Sequence, residues 1–231
     1  KEFENEANRI LDEAKQECEW MYQTQHTIDG KIQYDGYKED KIPIMGKINY
    51  TVWSDVFVCP ECSEELVYWD IAYEGKIPKQ KFLCKNCNVQ LTKNDLVHIW
   101  VTKYDDVLNK TVRHVKQIPV MINYTVTERT KQKRYKKIPD QYDLDLIKKI
   151  DEMKIKDWYP HDAMMSKGEK WGDTWRKGVH AGITHVHHFY TKRNLMYITN
   201  LFQKIISKKN NKIWVCWFTA SQSRLTRLNR Y

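Results

Sequence analysis

The stretches CPEC at 59–62 and CKNC at 84–87 decide the fold, because they place two cysteine pairs 21 residues apart. Each C-x-x-C pair can form a tight knuckle that directs two thiolates at one metal ion. Two such knuckles complete a closed tetrahedral sulfur site of the kind that suits zinc. The segment 59–87 is therefore predicted to be a zinc ribbon, with the strand-like LVYWDI at 66–71 inside it. Its predicted zinc ligands are Cys59, Cys62, Cys84 and Cys87.

Two disulfides are the alternative for these four cysteines, but an intracellular protein of this size is not expected to keep them. A redox C-x-x-C is a poorer explanation, since it does not account for two matched pairs. A closed four-thiolate site leaves no position for a substrate, so the Zn²⁺ is expected to be structural. The other two cysteines, Cys18 and Cys216, lie on apolar helical patterns and are predicted to be core residues.

Periodicity outward from the cysteines predicts an α+β fold. Strand-like alternation occurs on both sides of the ribbon, and INYTV appears twice, at 48–52 and at 122–126. Either this echo is a coincidence of strand composition, or two equivalent strands flank the ribbon in one sheet. The predicted fold class is a small antiparallel sheet with an inserted zinc ribbon, flanked by N-terminal and C-terminal helices. The predicted divisions are an N-terminal helix and loop at 1–46, a β-rich region at 47–153, and a Gly/Trp-rich loop with basic C-terminal helices at 154–231.

Length and composition limit the class of protein. The 231 residues fit one domain or one domain with a small appendage, and the 41% apolar content is ordinary for a globular protein. No stretch has the roughly 18 apolar residues of a membrane span, which predicts a cytoplasmic protein without a membrane partner. The chain begins at Lys1 inside a helical pattern, which favours a fragment of something longer. It has no G-x-G and no G-x-x-x-x-G-K-[ST], so a complete nucleotide-cofactor enzyme is not expected.

Charge is distributed unevenly along the chain. The formal net charge is +9, yet residues 174–231 hold 11 basic residues and no carboxylate, whereas residues 1–173 carry a net charge of −2. A second basic block, TERTKQKRYKK, lies at 127–137. A solvated basic surface explains such a block alone, but a long carboxylate-free segment favours a nucleic-acid partner.

The candidate DNA contacts are the cations of these zones and two tryptophans that interleave with them, since aromatic rings can stack on bases. Packing of the tryptophans in the protein is the alternative. The candidates are Lys131, Lys133, Arg134, Lys136, Lys137, Lys170, Trp171, Trp175, Arg176, Lys177, Lys192, Arg193, Arg224, Arg227 and Arg230.

The segment HAGITHVHHFYTKRN at 180–194 is rich in histidine and is the second candidate site for metal binding or catalysis. As a strand it would place His185 and His187 on one face and His188 on the other. A His pair can bind metal or act as a base. Packed or hydrogen-bonded histidines at a strand-to-helix corner are the favoured explanation, because no carboxylate or cysteine lies nearby in sequence. A ββα-metal nuclease would also use His187 or His188 with Asn194, but the later helix carries no histidine.

Four segments in this order resemble the middle region of site-specific DNA methyltransferases of the amino-methylating type, which modify adenine N6 or cytosine N4. The segments are WSDVFVCPEC at 53–62, KQIPVMINY at 116–124, GITHVHHFYTKRNL at 182–195 and LNRY at 228–231. In that family the glycine loop for the methyl donor precedes this region, and an Asp-Pro-Pro-aromatic tetrapeptide follows it.

The resemblance implies a DNA-recognition region that belongs to a restriction-modification type enzyme and has no catalytic residues of its own. It also implies S-adenosylmethionine as cofactor of the full-length enzyme only, with DNA and the remainder of the methyltransferase chain as partners. The competing functions are the nuclease and a zinc-ribbon module that contacts another protein.

Overall fold

A computed structural model describes residues 1–36, 41–74, 77–128, 130–164, 182–208, 211–222 and 226 of the chain. It confirms the α+β class, with antiparallel sheets between N-terminal and C-terminal helices. Within these ranges, no helix has both the length and the apolar character needed to cross a lipid bilayer.

The helices agree well with the periodicity of the sequence. They are α1 (Glu2–Cys18), α2 (Tyr68–Ala72), α3 (Gln141–Glu152), α4 (Lys192–Ile206) and α5 (Asn211–Gln222). The predicted helix after Pro139 is α3, which begins with a capping box: the Asp140 carboxylate accepts the Asp143 N–H, and the Asp143 carboxylate accepts the Asp140 N–H. The Thr191 hydroxyl caps α4 in a similar way by accepting the Asn194 N–H.

Sixteen strands, many of them short, make up the β structure of the described residues. They are β1 (Gln23–Gln25), β2 (Thr27–Ile28), β3 (Lys31–Ile32), β4 (Tyr34–Asp35), β5 (Ile42–Pro43), β6 (Met45–Val58), β7 (Glu65–Val67), β8 (Tyr73–Glu74), β9 (Ile77–Pro78), β10 (Lys81–Leu83), β11 (Gln90–Thr92), β12 (Val97–His98), β13 (Trp100–Asp105), β14 (Lys110–Val115), β15 (Gln117–Glu128) and β16 (Lys131–Lys137).

Two local predictions need correction. The stretch 25–46, predicted as a loop, contains the small pairs β2–β3 and β4–β5, because positive φ angles at Asp29 and Gly30 close the first pair as a tight turn. LVYWDI is only partly a strand, since β7 ends at Val67 and the chain then turns into α2.

The central sheet has the strand order β1-β6-β15-β16, with antiparallel neighbours. The two INYTV segments lie side by side in it, with Tyr124 opposite Ile48, which confirms the interpretation as two related strands in one sheet. One face of these strands forms a core of Ile48, Ile122, Tyr124 and Val126. The Tyr124 hydroxyl is buried there and lies 2.9 Å from His26 Nδ1.

The ribbon grows directly from the end of β6. Residues Val56–Val58 of that strand pair with β7, and Phe57 and Val58 also pair with β12. The hairpin β10–β11 lies beyond them. Phe57, Leu66, Phe82 and Leu91 form a separate small core around the buried Cys59 and Cys84. The ribbon therefore has its own core but shares a strand with the central sheet.

The helices form a second layer. Ala7, Ile10 and Ala14 of α1 pack against Leu201 and Ile205 of α4 and Trp214 of α5. α3 joins this layer through Leu146 and Ile150, which pack against Cys18 and Met21. The placement of Cys18 in the core is confirmed, but Cys216 is exposed on α5, so its predicted burial is wrong. The apolar run around Cys216 covers all sides of the helix, and only part of it faces α1.

Candidate functional site

The four predicted zinc ligands meet at one point, where their sulfur atoms lie within 4.8 Å of one another. The Sγ atoms of Cys59 and Cys87 are 3.8 Å apart, and those of Cys62 and Cys84 are 3.7 Å apart. Sulfur atoms bound tetrahedrally at about 2.3 Å from one zinc ion would be separated by about 3.8 Å. The four cysteines can therefore hold a metal ion such as zinc.

The two knuckles have the same backbone geometry. In each, the N–H of the first cysteine donates to a carbonyl five residues later, and the fourth residue after that cysteine donates its N–H to the same cysteine's carbonyl. That fourth residue, Ser63 in one knuckle and Asn88 in the other, has a positive φ. Hydrogen bonds from the Glu64 N–H and the Asn86 side chain lower the pKa of the Cys62 thiol to about 6. The first knuckle thus favours a thiolate at Cys62. At Cys87 the Val89 N–H acts to lower the pKa, but burial and the neighbouring cysteines outweigh it and raise the pKa to about 12.

A second concentration of potential ligands contains Asp105, His187 and His188, and it was missed in the sequence because its members lie about 80 residues apart. Asp105 ends β13, and both histidines lie in the 3-10 turn Val186–Phe189. Nε2 of His187 is 2.8 Å from Asp105 Oδ2, and Nε2 of His188 is 2.9 Å from the same oxygen. We call these three residues the Asp-His-His cluster.

The environment of this cluster fixes its protonation. Burial tends to raise the pKa of the Asp105 carboxyl, but hydrogen bonds from His187 and His188 outweigh it and hold the pKa below its usual range. Burial lowers the pKa of His187, although Asp105 acts in the opposite direction. Burial also lowers the pKa of His185, which has Thr184 Oγ1 at 2.9 Å from its Nδ1. The arrangement at neutral pH is therefore a carboxylate at Asp105 beside a His187 imidazole whose burial favours its uncharged form.

The predicted alternation of the three histidines along a strand is wrong. Only His185 has strand-like pairing, through a bridge with Ala163, and the chain then enters the 3-10 turn, which brings His187 and His188 to the same oxygen. Gly182 allows this segment to approach β14 closely, because a Cβ there would lie 2.2 Å from the Arg113 carbonyl oxygen. The hydrogen bonds fit the favoured explanation of histidines that order a corner, with Asp105 as the carboxylate.

The basic strand β16 divides its cations between different environments. Lys137 is a predicted DNA contact, and that prediction is wrong because its side chain is only 4% exposed. Its Nζ lies 2.6 Å from Asp140 Oδ2, 2.8 Å from Asp143 Oδ2 and 3.0 Å from the Gln25 carbonyl. The alternation of a strand turns Lys137 inward, and the neighbouring acidic residues of the α3 cap neutralise it.

The opposite face of the central sheet is polar and basic, and we call it the open sheet face. Across four strands, Gln23, Lys47, Thr125 and Arg134 lie in one register row. Lys136, opposite Asn123, extends this face, and Lys47, Arg134 and Lys136 are all exposed. Within these four described strands, no carboxylate occupies a position of this face. Lys131 is exposed near the hairpin tip, and Lys133 forms an ion pair with Glu128.

The C-terminal basic segment is partly neutralised inside the fold. Lys204 Nζ of α4 lies 2.7 Å from Glu17 Oε1, and Lys208, two residues after α4, forms an ion pair with Glu6, so both lysines bind the acidic α1. Arg193 lies over the Tyr22 ring at 5.4 Å, and Lys192 is half-buried at the start of α4. The carboxylate-free segment is therefore not a uniform surface for a polyanion.

Several predicted DNA contacts lie outside the described residues. These are Lys170, Trp171, Trp175, Arg176, Lys177, Arg224, Arg227 and Arg230.

Comparisons of the chain with protein-family models, with curated proteins and with solved structures gave no match.

Proposed function

We propose that this chain is the DNA-binding, zinc-containing recognition region of an S-adenosylmethionine-dependent DNA methyltransferase that modifies adenine N6 or cytosine N4. The methyltransferase part rests on the resemblance of the four sequence segments. The single observation that supports DNA binding is the open sheet face, where cations and neutral polar side chains lie together without a carboxylate.

The open sheet face offers the groups that DNA backbones require. Lys47, Arg134 and Lys136 can neutralise phosphates, and each neutralised phosphate releases counterions. Asn49 and Thr125 add hydrogen-bonding groups between these cations, with Asn49 Nδ2 2.9 Å from Thr125 Oγ1. Side chains of this kind position a protein on the duplex through contacts to phosphate oxygens and sugars.

The metal is proposed to be a structural Zn²⁺ held by the cysteines of the ribbon. Four thiolates leave no open coordination position, so the ion stabilises the fold and does not take part in the reaction. Its binding would contribute on the order of 10 kcal/mol to the folding of the ribbon. Donor binding and methyl transfer are proposed to belong to the remainder of the enzyme chain, which supplies the S-adenosylmethionine site.

Duplex binding by the zinc-loaded chain tests the proposal. We expect fluorescence anisotropy with a labelled duplex to give an affinity that falls as salt rises. Arg134→Gln and Lys136→Gln should each make the slope of log affinity against log salt shallower by about one. Lys148→Gln, at an exposed position of α3, is the matched control and should leave the slope unchanged.

Two outcomes would overturn the proposal. Absence of salt-dependent duplex binding would remove its DNA part. Metal-dependent cleavage of plasmid, lost in His187→Ala, would favour the nuclease alternative instead. The methyltransferase part is tested separately by expression of the chain together with its flanking coding sequence, followed by transfer of labelled methyl groups to DNA. No transfer by a folded, duplex-binding protein would contradict that part alone.

A further inference from the structure

The Asp-His-His cluster has the composition and convergence of a metal site. Two imidazoles and a carboxylate direct three ligand atoms, Nε2, Nε2 and Oδ2, to one place, and these atoms lie within 4.8 Å of one another. Neutral imidazole and carboxylate ligands suit zinc and neighbouring divalent transition metals. The cluster is assembled from two distant parts of the chain, the end of β13 and the turn before α4.

We propose that Asp105, His187 and His188 form a second metal site, distinct from the four cysteines, that binds one divalent transition ion such as Zn²⁺. Ligand atoms bound tetrahedrally at about 2.0–2.1 Å from an ion are separated by about 3.3 Å. The present separations of 2.8 and 2.9 Å from Oδ2 require the ligands to move apart by only about 0.5 Å, by the same geometry.

The contacts around the ligands support this assignment. The other carboxylate oxygen, Asp105 Oδ1, accepts the Val107 N–H at 3.2 Å and the Leu108 N–H at 3.1 Å, which leaves Oδ2 directed at the histidines. Thr184 Oγ1 lies 3.4 Å from His188 Nδ1 and can accept its proton when Nε2 binds the ion. Metal ligands are commonly oriented by such outer contacts.

Hydrogen bonds alone do not satisfy His187. The residue is 7% exposed, and its buried Nδ1 has no hydrogen-bond partner among the described residues. Without an ion, His188 Nδ1 accepts the Thr184 N–H at 3.3 Å. Its Nε2 therefore carries the ring proton and donates a hydrogen bond to the Asp105 carboxylate. Binding of the ion at both Nε2 atoms moves one proton from Nε2 to Nδ1 within each ring, with no net gain or loss, and replaces the Thr184 N–H bond of His188 with the contact to Thr184 Oγ1. Nδ1 of His187 has no protein partner among the described residues with or without the ion at Nε2, so a water beside this atom is expected.

The proposed site differs chemically from the ribbon site. Three protein ligands leave a coordination position open for water or an anion, as in catalytic zinc sites. A cleft of about 320 Å³ lies beside it, with Val107, Tyr159 and His161 among its lining residues. The Tyr159 ring lies 5.7 Å from the His187 ring. The cleft therefore borders the proposed site through Tyr159.

Metal analysis of the full chain tests the inference. After loading with Zn²⁺ and removal of loosely bound ion, we expect about two ions per wild-type chain. Asp105→Asn and His187→Ala should each retain about one. Cys59→Ser should lose the ribbon ion and keep an ion whose X-ray absorption spectrum shows nitrogen and oxygen ligands but no sulfur. His161→Gln is the matched control and should keep both ions.

The reverse results would overturn the inference. One ion in the wild-type chain, lost in Cys59→Ser, would leave the cluster as a set of hydrogen bonds. Two ions in both Asp105→Asn and His187→Ala would place the second ion elsewhere. Circular dichroism identifies a variant that fails to fold, and His188→Gln then replaces it. The measurement does not depend on DNA binding, so failure of the proposed function would leave it unaffected.

Discussion

Replacement of Lys137 by methionine separates a structural role from a DNA contact. The lysine is 4% exposed, and its ammonium group lies between Asp140 and Asp143, with Asp143 itself 1% exposed. Methionine preserves much of the side-chain volume but leaves the buried Asp143 carboxylate with two neutral donors, the Thr24 hydroxyl at 2.6 Å and the Asp140 N–H at 3.1 Å. Removal of one member of a buried ion pair costs about 3–5 kcal/mol because the other charge stays buried.

Urea denaturation of the zinc-loaded protein measures this cost. With a denaturant slope of about 3 kcal/mol/M, the loss predicts a fall in the midpoint of roughly 1–1.7 M. Lys136→Met is the matched control on the adjacent, exposed position of the same strand, and it should change stability by no more than about 0.5 kcal/mol. Duplex affinity should show the opposite order: Lys136→Met should bind DNA more weakly than Lys137→Met, because Lys136 lies on the open sheet face.

A second replacement tests whether the unpaired charge of Asp143 causes the loss of stability in Lys137→Met. Lys137→Met combined with Asp143→Asn removes both charges, so it should recover at least about 1 kcal/mol relative to Lys137→Met alone. Burial raises the pKa of Asp143 even beside Lys137. The penalty of Lys137→Met should therefore shrink as the pH falls and Asp143 takes up a proton. Equal midpoints for Lys137→Met and Lys136→Met, or no recovery in the double variant, would refute the buried ion pair.

Three further predictions concern the helices and the close approach at β14. The Lys204 hydrogen bond lowers the pKa of Glu17, so this pair stabilises the fold above the ordinary carboxyl pKa of 4.5 and is lost as the pH falls through the depressed value. Thermal melts should show less acid sensitivity in Lys204→Met. Gly182→Ala should lower stability by about 1–3 kcal/mol, because its Cβ would collide with a β14 carbonyl. Gly30→Ala, also at positive φ but with nothing within 4 Å, is the control, and an equal loss in urea would contradict the collision. The exposed Cys216 should react rapidly with a thiol reagent in zinc-loaded protein, and a fast phase that survives in Cys216→Ser would contradict its exposure.

Local patterns predicted the elements well, because periodicity, caps and paired cysteines act over a few residues. The convergence of the four cysteines follows directly from their spacing, and α3 follows from the residues after Pro139. The paired INYTV strands were one of two stated alternatives, and the structure selects between them. Such features depend on short-range geometry, which can be predicted from the pattern of neighbouring residues.

The failures at the candidate sites involve distant partners, unlike the local errors at 25–46 and 66–71. No residue near His187 in the sequence indicates its contact with Asp105. The two residues meet only because β13 and the turn before α4 lie side by side in the fold. A basic run likewise does not reveal which of its members turns inward, and Lys137 is neutralised by the cap of the next helix. The positive charge of α4 was also partly matched by α1, from the other end of the chain.

The continuous strand β6 has a mechanical consequence. Its first half belongs to the central sheet, and its last residues belong to the ribbon, with no loop between them. Fourteen residues of extended chain span about 46 Å, so β6 connects the core of the central sheet directly to the core of the ribbon. The tip of the ribbon is thereby held at a fixed distance and orientation from the open sheet face. A partner that contacts both surfaces would meet them at a fixed separation. Loss of the proposed Zn²⁺ from the ribbon would loosen the position of the ribbon relative to the open sheet face.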